Sequence, residues 1–572
     1  MKRLNLLDSA FLLAERRETP MHVGSVNLFT LPSGADEQTF LHQLADGLRS
    51  ASDFQSPFGE RLKTGRLGML GPMYWERDDT LDIDYHIRHS ALPQPGRYRE
   101  LFALVSRLHG TLLDRNRPLW EMHLIEGLQK RQFAVYSKYH HAAIDGVRSI
   151  HLTQSMYSTS ARERIHDSPL SVESAKRYRA ALGEAPKKEE LRNVAEFLKS
   201  TYDSGTNVYG ALRRLALGWT GRGGDLALPW MGVPHSPINT HVDGARRFVA
   251  QSWPFDRVRA VGKALDGTFN DAVLAMSAGA LRRYLQEMHG LPKKSLKAMV
   301  PVSLRRKGDI DSSNAVGAIS ADLATNVKDP IKRFESIQAS TRAGKAMFEG
   351  MAPREVELAM QLMQMPGLFL IPLGLIDRYP PYNTVVSNVP GPRQPMYWNG
   401  ARLEGIYPAS IVSEGVALNI TLISYDNNVD FGIVACRRTM PQVQRIIDYM
   451  EDALVELEEA VGLRKGKVRA SASATKTAKS GAKSRARTRS TAKARPKTKA
   501  KSSTTGRSKA KKVSGAKASA STRAKSKTKS GAASKSRTKA KTSASTRSGS
   551  KAKSGAPTGS RAKAKSGART RN

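Results

Sequence analysis

Cysteine is almost absent from this chain of 572 residues, because Cys436 is the single one. One cysteine excludes an intrachain disulfide framework and a metal site built from several cysteines, and it fits a reducing compartment. The apolar stretch at residues 4–13 is interrupted by Asp8, and charged residues follow it where a cleavage site would need small ones. We therefore expect a cytoplasmic protein without a secretory leader.

Long apolar runs are also missing, since a membrane-spanning helix needs roughly 18 consecutive apolar residues. The nearest approach is the stretch at residues 367–376, which Pro372 interrupts. Met360, Met363 and Met365 lie just before it, and flexible methionine side chains suit an adaptable apolar surface. We predict that this segment mainly packs in a core, with lining of a tunnel or contact with a membrane as alternatives.

Acidic and aromatic residues are missing from residue 461 onward, where 36 of the 92 Lys and Arg residues lie. The other 56 basic residues face 51 acidic ones, so the net charge of +41 belongs mainly to this tail. A segment with so little apolar surface cannot offset its chain entropy, and we predict that residues 463–572 are disordered. The tail favours polyanions, namely nucleic acid, anionic lipid or polyphosphate, although the lack of aromatics argues against base stacking.

The remaining body is too long for a single core, and its composition changes along the chain. Residues 1–175 mix strand-like and helix-like patterns, and residues 244–462 do so again. Between them, residues 176–243 carry charged amphipathic stretches followed by Gly and Pro clusters. We predict an α/β (α+β) protein with two mixed α/β halves joined by a helical linker.

Hydrophobic periodicity predicts individual elements within the two halves. Strands are predicted at residues 23–28, 82–87, 120–125, 133–139, 298–305, 385–389, 417–422 and 429–435. Helices are predicted at residues 38–48, 100–113, 272–285, 355–365 and 443–457, with Pro366 ending the fourth of them.

The predicted strand at residues 133–139 runs into two adjacent histidines, His140 and His141, and then into Asp145 and Gly146. Successive residues at a strand end point to opposite faces, so only one imidazole can face a given cavity. An imidazole near neutral pH suits general-base work on an alcohol. Asp145 can hold the turn through a buried hydrogen bond or an arginine, and Gly146 relieves the backbone there.

Other chemistries fit these residues less well. A metal site would use one of the histidines with Asp145, but a third ligand is missing nearby, and zinc sites use three or four. A serine hydrolase would use Ser277, which lies in a helical run instead of a strand-to-helix turn. Cys436 has no paired motif as a nucleophile. Another alternative is a lipid-inclusion or nucleic-acid-associated binding protein that acts mainly through the tail. This alternative does not explain the presence of the histidine motif.

Two polar positions in the second half have structural alternatives. Thr268 and Asp271 form a variant capping box before the predicted helix at residues 272–285, which is compatible with a role in shaping a tunnel. Arg305 is a candidate partner for Asp145, because a buried carboxylate requires a cation. A solvent-facing arginine is the alternative for Arg305.

Residues 140–146, HHAAIDG, match the HHxxxDG motif of the CoA-dependent acyltransferase superfamily, and the body resembles the bacterial wax ester synthase/diacylglycerol acyltransferases. Further motifs occur in family order and strengthen the resemblance. They are LDSAF at 7–11 with PMHVG at 20–24, PLW at 118–120, ND at 270–271 and SNVPGP at 387–392.

The resemblance implies two chloramphenicol-acetyltransferase-like mixed-sheet domains that meet at a tunnel. It implies direct acyl transfer from acyl-CoA to a long-chain fatty alcohol or to diacylglycerol in a ternary complex, without an acyl-enzyme. His141 would face the tunnel as the general base, while His140 and Asp145 hold the loop.

Gly146, Asn270 and Asp271 are the substrate-binding positions that the resemblance implies, and it implies neither a metal nor a cofactor beyond acyl-CoA as co-substrate. A product with two long chains leaves slowly into water. We therefore expect the protein to work peripherally, at the inner membrane or at the surface of a lipid inclusion.

Overall fold

The computed structural model describes residues 1–65, 68–144, 152, 155–182, 224–288, 290–303, 316–349, 353–370 and 373–464. Residues 183–223 of the predicted linker and the tail from residue 465 lie outside this description, so the disorder of the tail stays a prediction. The predicted bounds of the two halves also stay predictions.

The strands, numbered in chain order, follow the apolar alternation of the sequence. They are β1 (Lys2–Arg3), β2 (His22–Thr30), β3 (Glu60–Gly65), β4 (Gly68–Arg77), β5 (Ile87–Ala91), β6 (Trp120–Leu128), β7 (Gln132–His140), β8 (Arg246–Pro254), β9 (Lys297–Ser303), β10 (Val316–Asp322), β11 (Thr384–Val389), β12 (Tyr397–Trp398), β13 (Ala401–Ala409), β14 (Leu418–Tyr425) and β15 (Asn428–Cys436).

The α-helices of the described residues lie between these strands in the chain, except the last, which follows β15. They are α1 (Leu6–Ala14), α2 (Glu37–Arg49), α3 (Ile83–His86), α4 (Tyr98–His109), α5 (Val172–Leu182), α6 (Phe255–Ala264), α7 (Phe269–Met288), α8 (Pro330–Ala346), α9 (Pro353–Leu370) and α10 (Arg445–Ala460).

Two six-stranded mixed sheets and a small three-stranded sheet organise the described residues. The first large sheet has the order β12-β13-β2-β7-β6-β5, and the second has the order β10-β9-β11-β14-β15-β8. In the first sheet β2 and β7 are antiparallel neighbours, and their register places His22 opposite His140. The predicted fold class, with two mixed-sheet α/β domains, is confirmed.

The first sheet includes a segment from the second half of the chain. Strand β13 pairs with β2 from Arg402 opposite Thr30 to Ala409 opposite Gly24, and β12 extends the same edge. Trp398, Leu403 and Ile406 are buried with the apolar residues of the first half. The two halves therefore share one sheet and one core, which fixes the position of each half against the other.

The second sheet carries the larger apolar core, into which α7 and α10 pack. The middle turns of α7, residues 272–281, are buried on all sides, because the helix lies between the sheet and other helices. The strands predicted at residues 417–422 and 429–435 are present and form a hairpin: β14 and β15 are antiparallel around a two-residue loop, where Asp426 has a positive φ of 49°.

Two predicted elements are wrong. The alternating residues 82–87 predict a strand, yet Ile83–His86 is a short helix whose start is capped by the Asp82 carboxylate accepting the Tyr85 N–H, 3.4 Å away. Capping by a local carboxylate competes with the extended conformation.

Pro366 does not end its helix, because α9 continues to Leu370 with the proline inside it. Proline removes one intrahelical hydrogen bond, so packing of α9 outweighs that loss.

No helix among the described residues is long and apolar enough to cross a membrane.

Candidate active site

The two adjacent histidines lie where β7 ends, and backbone hydrogen bonds from three segments hold this turn. The His140 N–H donates to the Leu119 carbonyl at 2.9 Å, and the His141 N–H donates to the Met21 carbonyl at 2.9 Å. The Ala143 N–H closes the turn onto the His140 carbonyl at 2.9 Å. Leu119 and Met21 belong to the PLW and PMHVG motifs, so these motifs place the backbone of the histidine pair.

His140 is fully buried, and both of its ring nitrogens face protein groups. The Ala142 N–H donates to Nδ1 at 3.0 Å, so Nδ1 carries no proton and the proton of the neutral ring lies on Nε2. Nε2 lies 3.4 Å from Oε1 of Glu15. A ring held in this way is suited to positioning the turn and poorly suited to accepting a proton from a substrate.

Glu15 follows α1 directly, and its side chain is buried against the histidine turn. Its carboxylate accepts the Met21 N–H at 3.1 Å and two N–H groups of Arg115 at 3.0 and 3.1 Å. Burial raises the pKa of Glu15, but His140, the Met21 N–H and Arg115 outweigh burial and bring the pKa below its ordinary value. Glu15 is therefore a charged carboxylate behind the site.

His141 is the first residue after β7, and it is half-buried, whereas His140 is fully buried. Its ring stacks on Phe11 of α1, with ring centroids 4.0 Å apart and an angle of 18° between the planes. Phe11 packs against an apolar cluster that includes Leu119 and Ala142. His141 thus stacks on an aromatic ring that packs against an apolar cluster.

A buried ionic cluster lies on the same strands. Lys138 of β7 is fully buried and contacts Glu121 of β6 at 3.1 Å, while Arg88 and His123 each contact the same carboxylate at 3.4 Å. Burial raises the pKa of Glu121, but the hydrogen bond with His123 and the charges of Lys138 and Arg88 lower it to about 2. Burial lowers the pKa of Lys138 from its ordinary value, although Glu121 opposes that shift.

Two other buried histidines bond to backbone carbonyls. Nε2 of His22 lies 2.6 Å from the His109 carbonyl, and Nε2 of His109 lies 3.1 Å from the Ser410 carbonyl. Nδ1 of His109 lies 2.8 Å from the Tyr136 hydroxyl. Burial lowers the pKa of His109 to about 3, so its ring is neutral. These contacts favour a structural role for both histidines.

Asp271 caps the start of α7, as the capping-box pattern predicts. Its carboxylate accepts the Thr268 N–H at 2.9 Å and the Thr268 hydroxyl at 2.7 Å, and the Asp271 N–H donates back to Thr268 at 3.2 Å. The Thr341 hydroxyl of α8 donates to its other oxygen at 2.8 Å. These contacts join α7 to α8, and none of them reaches the histidine turn. Asn270 beside it is half-buried.

Glycines in two of the motifs are explained by close packing. A Cβ atom on Gly24 would lie 2.3 Å from the Ser137 carbonyl, and one on Gly391 would lie 2.4 Å from the Ser424 carbonyl. Neither position can accept a side chain without a shift of the backbone. Gly24 thus lets β2 approach β7, and Gly391 lets the loop after β11 approach β14.

Several predicted residues lie outside the described residues, namely Asp145, Gly146 and Arg305. The proposed pairing of Asp145 with Arg305 therefore stays a prediction. Ser277 is fully buried inside α7, and Cys436 is buried at the end of β15, so neither is placed as an accessible nucleophile. Within the described part of the chain, no group of three or more His, Cys, Asp or Glu residues could hold a metal ion.

Sequence patterns alone do not identify Phe11, Glu15 and Arg115 as parts of the site. Arg115 is separated from Glu15 by 100 residues, and local periodicity carries no information about such a contact. One signal was available: Phe11 and Glu15 are four residues apart, a spacing that places both on one face of a helix end.

Comparisons with known proteins agree with the motifs. The model of the wax ester synthase/diacylglycerol acyltransferase catalytic domain matches residues 4–273, and that of the WS/DGAT C-terminal domain matches residues 312–458. The O-acyltransferase WSD of Acinetobacter baylyi is 38% identical over 474 residues, which cover 82% of this chain and 100% of that protein. A Mycobacterium tuberculosis protein described as a probable diacylglycerol O-acyltransferase is 43% identical, over 80% of this chain and 98% of the relative.

A solved structure gives the same result. The wax ester synthase/diacylglycerol acyltransferase from Marinobacter aquaeolei VT8 is 39% identical and superimposes with a TM-score of 0.64, over 81% of this chain and 100% of that one. The first condensation domain of the calcium-dependent antibiotic synthetase, at 16% identity and a TM-score of 0.50, shares the fold alone. The chain belongs to the wax ester synthase/diacylglycerol acyltransferase family.

Proposed function

We propose that this protein is an acyl-CoA-dependent O-acyltransferase that makes wax esters from long-chain fatty alcohols, triacylglycerol from diacylglycerol, or both. The observation that carries the proposal is the contrast between the two histidines. His140 is buried with both ring nitrogens facing protein groups, whereas His141 is half-buried and stacks on Phe11. The alternative of a binding protein acting mainly through its tail is not supported.

In the proposed reaction His141 accepts the proton of the alcohol hydroxyl. The alcohol oxygen attacks the thioester carbonyl of acyl-CoA, the carbon–sulfur bond breaks, and the imidazolium returns the proton to the thiolate of CoA. General-base catalysis of this kind contributes about 10²–10⁴-fold. Asp145 holds the turn, and Gly146, Asn270 and Asp271 shape the substrate site.

Long acyl chains supply much of the binding energy in this proposal. Burial of a methylene contributes ~0.8 kcal/mol, so about fifteen methylenes contribute on the order of 12 kcal/mol as an upper bound. A product with two such chains dissociates slowly into water, and an adjacent lipid phase would accept it.

Product identification tests the proposed function most simply. Purified protein is incubated with radiolabelled acyl-CoA and either a long-chain fatty alcohol or diacylglycerol, and the lipids are separated and identified. We expect a wax ester, triacylglycerol or both, together with free CoA. Hydrolysis to free fatty acid, without ester in either incubation, would contradict the proposal.

The direct-attack route predicts that acyl-CoA alone leaves no covalent trace on the protein. Mass spectrometry of protein incubated with acyl-CoA is expected to show the unmodified mass. An acyl adduct on Ser277 or Cys436 that transfers to an added alcohol would show that the reaction proceeds through an acyl-enzyme instead.

We also propose that the segment around α9 contacts a membrane or lipid inclusion. Large apolar side chains are exposed here: Met365 at 45%, Leu373 at 69% and Tyr379 at 51%. Leu373→Glu is expected to weaken co-flotation with neutral lipid droplets. Leu463→Glu is the matched control, because Leu463 is 51% exposed outside this segment. Equal flotation of both variants and the unchanged protein would contradict the proposed contact.

The tail is proposed to bind polyanions without sequence preference. Because each neutralised phosphate releases a counterion, binding to DNA or anionic vesicles should weaken steeply with salt. Protein ending at residue 462 should lose this binding in DNA-shift and vesicle co-sedimentation assays. Binding that persists in the truncated protein, or that salt does not affect, would contradict the proposal.

A further inference from the structure

We propose that Glu15 is a positioning residue for acyl transfer, which acts through His140 and Met21 and does not touch the substrate. This proposal rests on the acyl-transfer function proposed above. It assigns to the end of the first helix the task of holding the imidazole base in place.

The chain path brings Glu15 to the histidine turn. Helix α1 ends at Ala14, and the Glu15 N–H still donates to the Phe11 carbonyl at 3.0 Å. A tight turn follows, in which the Thr19 N–H donates to the Arg16 carbonyl at 3.0 Å. The chain then enters β2 beside β7, so the Glu15 carboxylate lies between the helix end and the two histidines.

The two carboxylate oxygens have different partners. Oε1 accepts the Met21 N–H at 3.1 Å and lies 3.4 Å from Nε2 of His140. The Met21 carbonyl in turn accepts the His141 N–H at 2.9 Å. One oxygen therefore connects to the ring of His140 and, through a single residue, to the backbone of His141.

The second oxygen is held by a cation. Oε2 accepts N–H groups from Nε and Nη2 of Arg115, at 3.1 and 3.0 Å, and Nη2 also donates to the Leu12 carbonyl at 2.7 Å. Arg115 thereby fixes the carboxylate against the last turn of α1. Every partner of the carboxylate presents an N–H, so the site requires an acceptor at both oxygens.

A glutamine at position 15 has the same shape but cannot meet this requirement. Its amide offers one oxygen and one NH₂ group. With the oxygen toward Met21, the NH₂ faces the Arg115 guanidinium, and in the other orientation it faces the Met21 N–H. Either way two donors face each other, so Glu15→Gln tests the carboxylate with little change in side-chain volume.

The central experiment measures steady-state kinetics of Glu15→Gln in the full chain. We expect kcat to fall about 10- to 100-fold with KM for acyl-CoA little changed, because the base is misplaced while the substrate site is intact. The acidic limb of the kcat/KM pH profile is expected to move to lower pH, since a negative charge that favours imidazolium is removed. The other charged or titratable groups facing Glu15 are Arg115, His140 and Lys138.

Glu458→Gln is the matched control. Glu458 on α10 is a buried carboxylate that accepts two N–H groups of Arg257, at 2.8 and 2.9 Å, in the second half. Its loss is expected to lower thermal stability without changing kcat or the pH profile. Near-normal kcat and an unmoved pH profile in folded Glu15→Gln would overturn the proposal, as would equal kinetic effects of the two variants.

Arg115→Lys keeps the charge but not the paired N–H contacts, and it provides the test if Glu15→Gln does not fold. We expect a smaller fall in kcat with KM little changed, and an unchanged kcat would overturn the proposal.

A measurement that needs no activity separates this proposal from the proposed function. In protein with ¹⁵N-labelled histidine, the His140 Nε2–H signal, assigned by its loss in His140→Ala, should move upfield when the carboxylate is replaced. That shift in a protein without acyl transfer would support the positioning contact and contradict the proposed function. An unchanged signal would overturn the contact.

Discussion

The two six-stranded sheets differ in the charged side chains that they bury. Among the described residues, strands of the first sheet bury three histidines, a glutamate and a lysine, namely His22, His123, His140, Glu121 and Lys138. In the described part of the second sheet, the only buried Asp, Glu, Lys, Arg or His side chains are those of Arg246 and Asp430. Buried ionic groups are costly unless they are paired, so the first sheet, which buries more of them, maintains a more costly arrangement than the second.

The buried carboxylates show how each sheet manages this cost. Glu121 contacts Lys138 and Arg88, and its pKa is lowered to about 2. Asp430 instead accepts the Ser252 hydroxyl at 2.6 Å and the Ile406 N–H at 2.8 Å. Burial raises the pKa of Asp430 to about 7, against the effect of those two hydrogen bonds. The first sheet thus holds Glu121 charged next to His123, whereas burial in the second sheet disfavours the charged form of Asp430.

The largest effect on stability is expected from replacing Lys138, the buried lysine of the first sheet. Lys138→Met leaves Glu121 buried without its nearest cation, which is expected to lower the free energy of unfolding by about 3–5 kcal/mol. Denaturant unfolding measures this loss. Asp430→Asn is the counterpart in the second sheet and is expected to cost about 1 kcal/mol, because no cation is left unpaired. Equal losses of unfolding free energy in the two variants would mean that the two sheets do not differ in the cost of their buried charges.

The pairing of Asp145 with Arg305 is expected to have an intermediate effect and would link the two halves electrostatically. Asp145→Asn should lower both activity and thermal stability. A double-mutant cycle with Arg305→Met is expected to show a coupling energy of about 0.5–3 kcal/mol. Strict additivity would exclude the pair, though not the structural role of Asp145.

The pH dependence of stability should differ in sign between the two sheets. The folded pKa of Glu121 is depressed, so its contribution is present above the unfolded value of 4.5 and is lost as pH falls toward about 2. The folded pKa of Asp430 is raised, so its penalty grows as pH rises from 3.8 to about 7. Asp430→Asn should remove the second trend and leave the first. Unfolding curves of both proteins between pH 3 and 8 would test this, and parallel curves would contradict it.

The smallest effect is expected from the tail, since every motif lies in the body. Protein ending at residue 462 should retain the acyl-transfer rate of the full chain on dispersed substrate. Comparing the two initial rates tests this expectation, and a large loss on truncation would mean that the tail contributes to the site.

Sequence patterns predict the strands β2, β6 and β7 and the helix α2 within a few residues. Burial does not alternate along β7, where every residue is buried, so the apolar content of the strand is the informative signal there. Sequence patterns do not predict the short helix at Ile83–His86, because capping by Asp82 overrides the local alternation. They also do not predict that a helix continues past Pro366, because tertiary packing overrides the effect of the proline. Pairing of β13 with β2 connects residues far apart in the chain, and alternation does not specify a partner strand.

The candidate site likewise contains some features that the sequence predicts and others that it does not. The two-residue period of a strand predicts that His140 and His141 face opposite sides, and this stays a prediction because β7 ends at His140. The capping of α7 by Asp271 followed from the spacing of two polar residues. Glu15 and Arg115 were missed, since their contact forms only after the chain returns across 100 residues.

The assignment of His141 as the base is tested most directly by comparing His141→Ala with His140→Ala in the acyl-transfer assay. His141→Ala is expected to remain folded and to lose about 10²–10⁴-fold in kcat, the contribution of general-base catalysis. His140→Ala should lose less activity and more thermal stability, because it removes the contacts with Ala142 and Glu15. Near-normal turnover by folded His141→Ala would contradict the assignment.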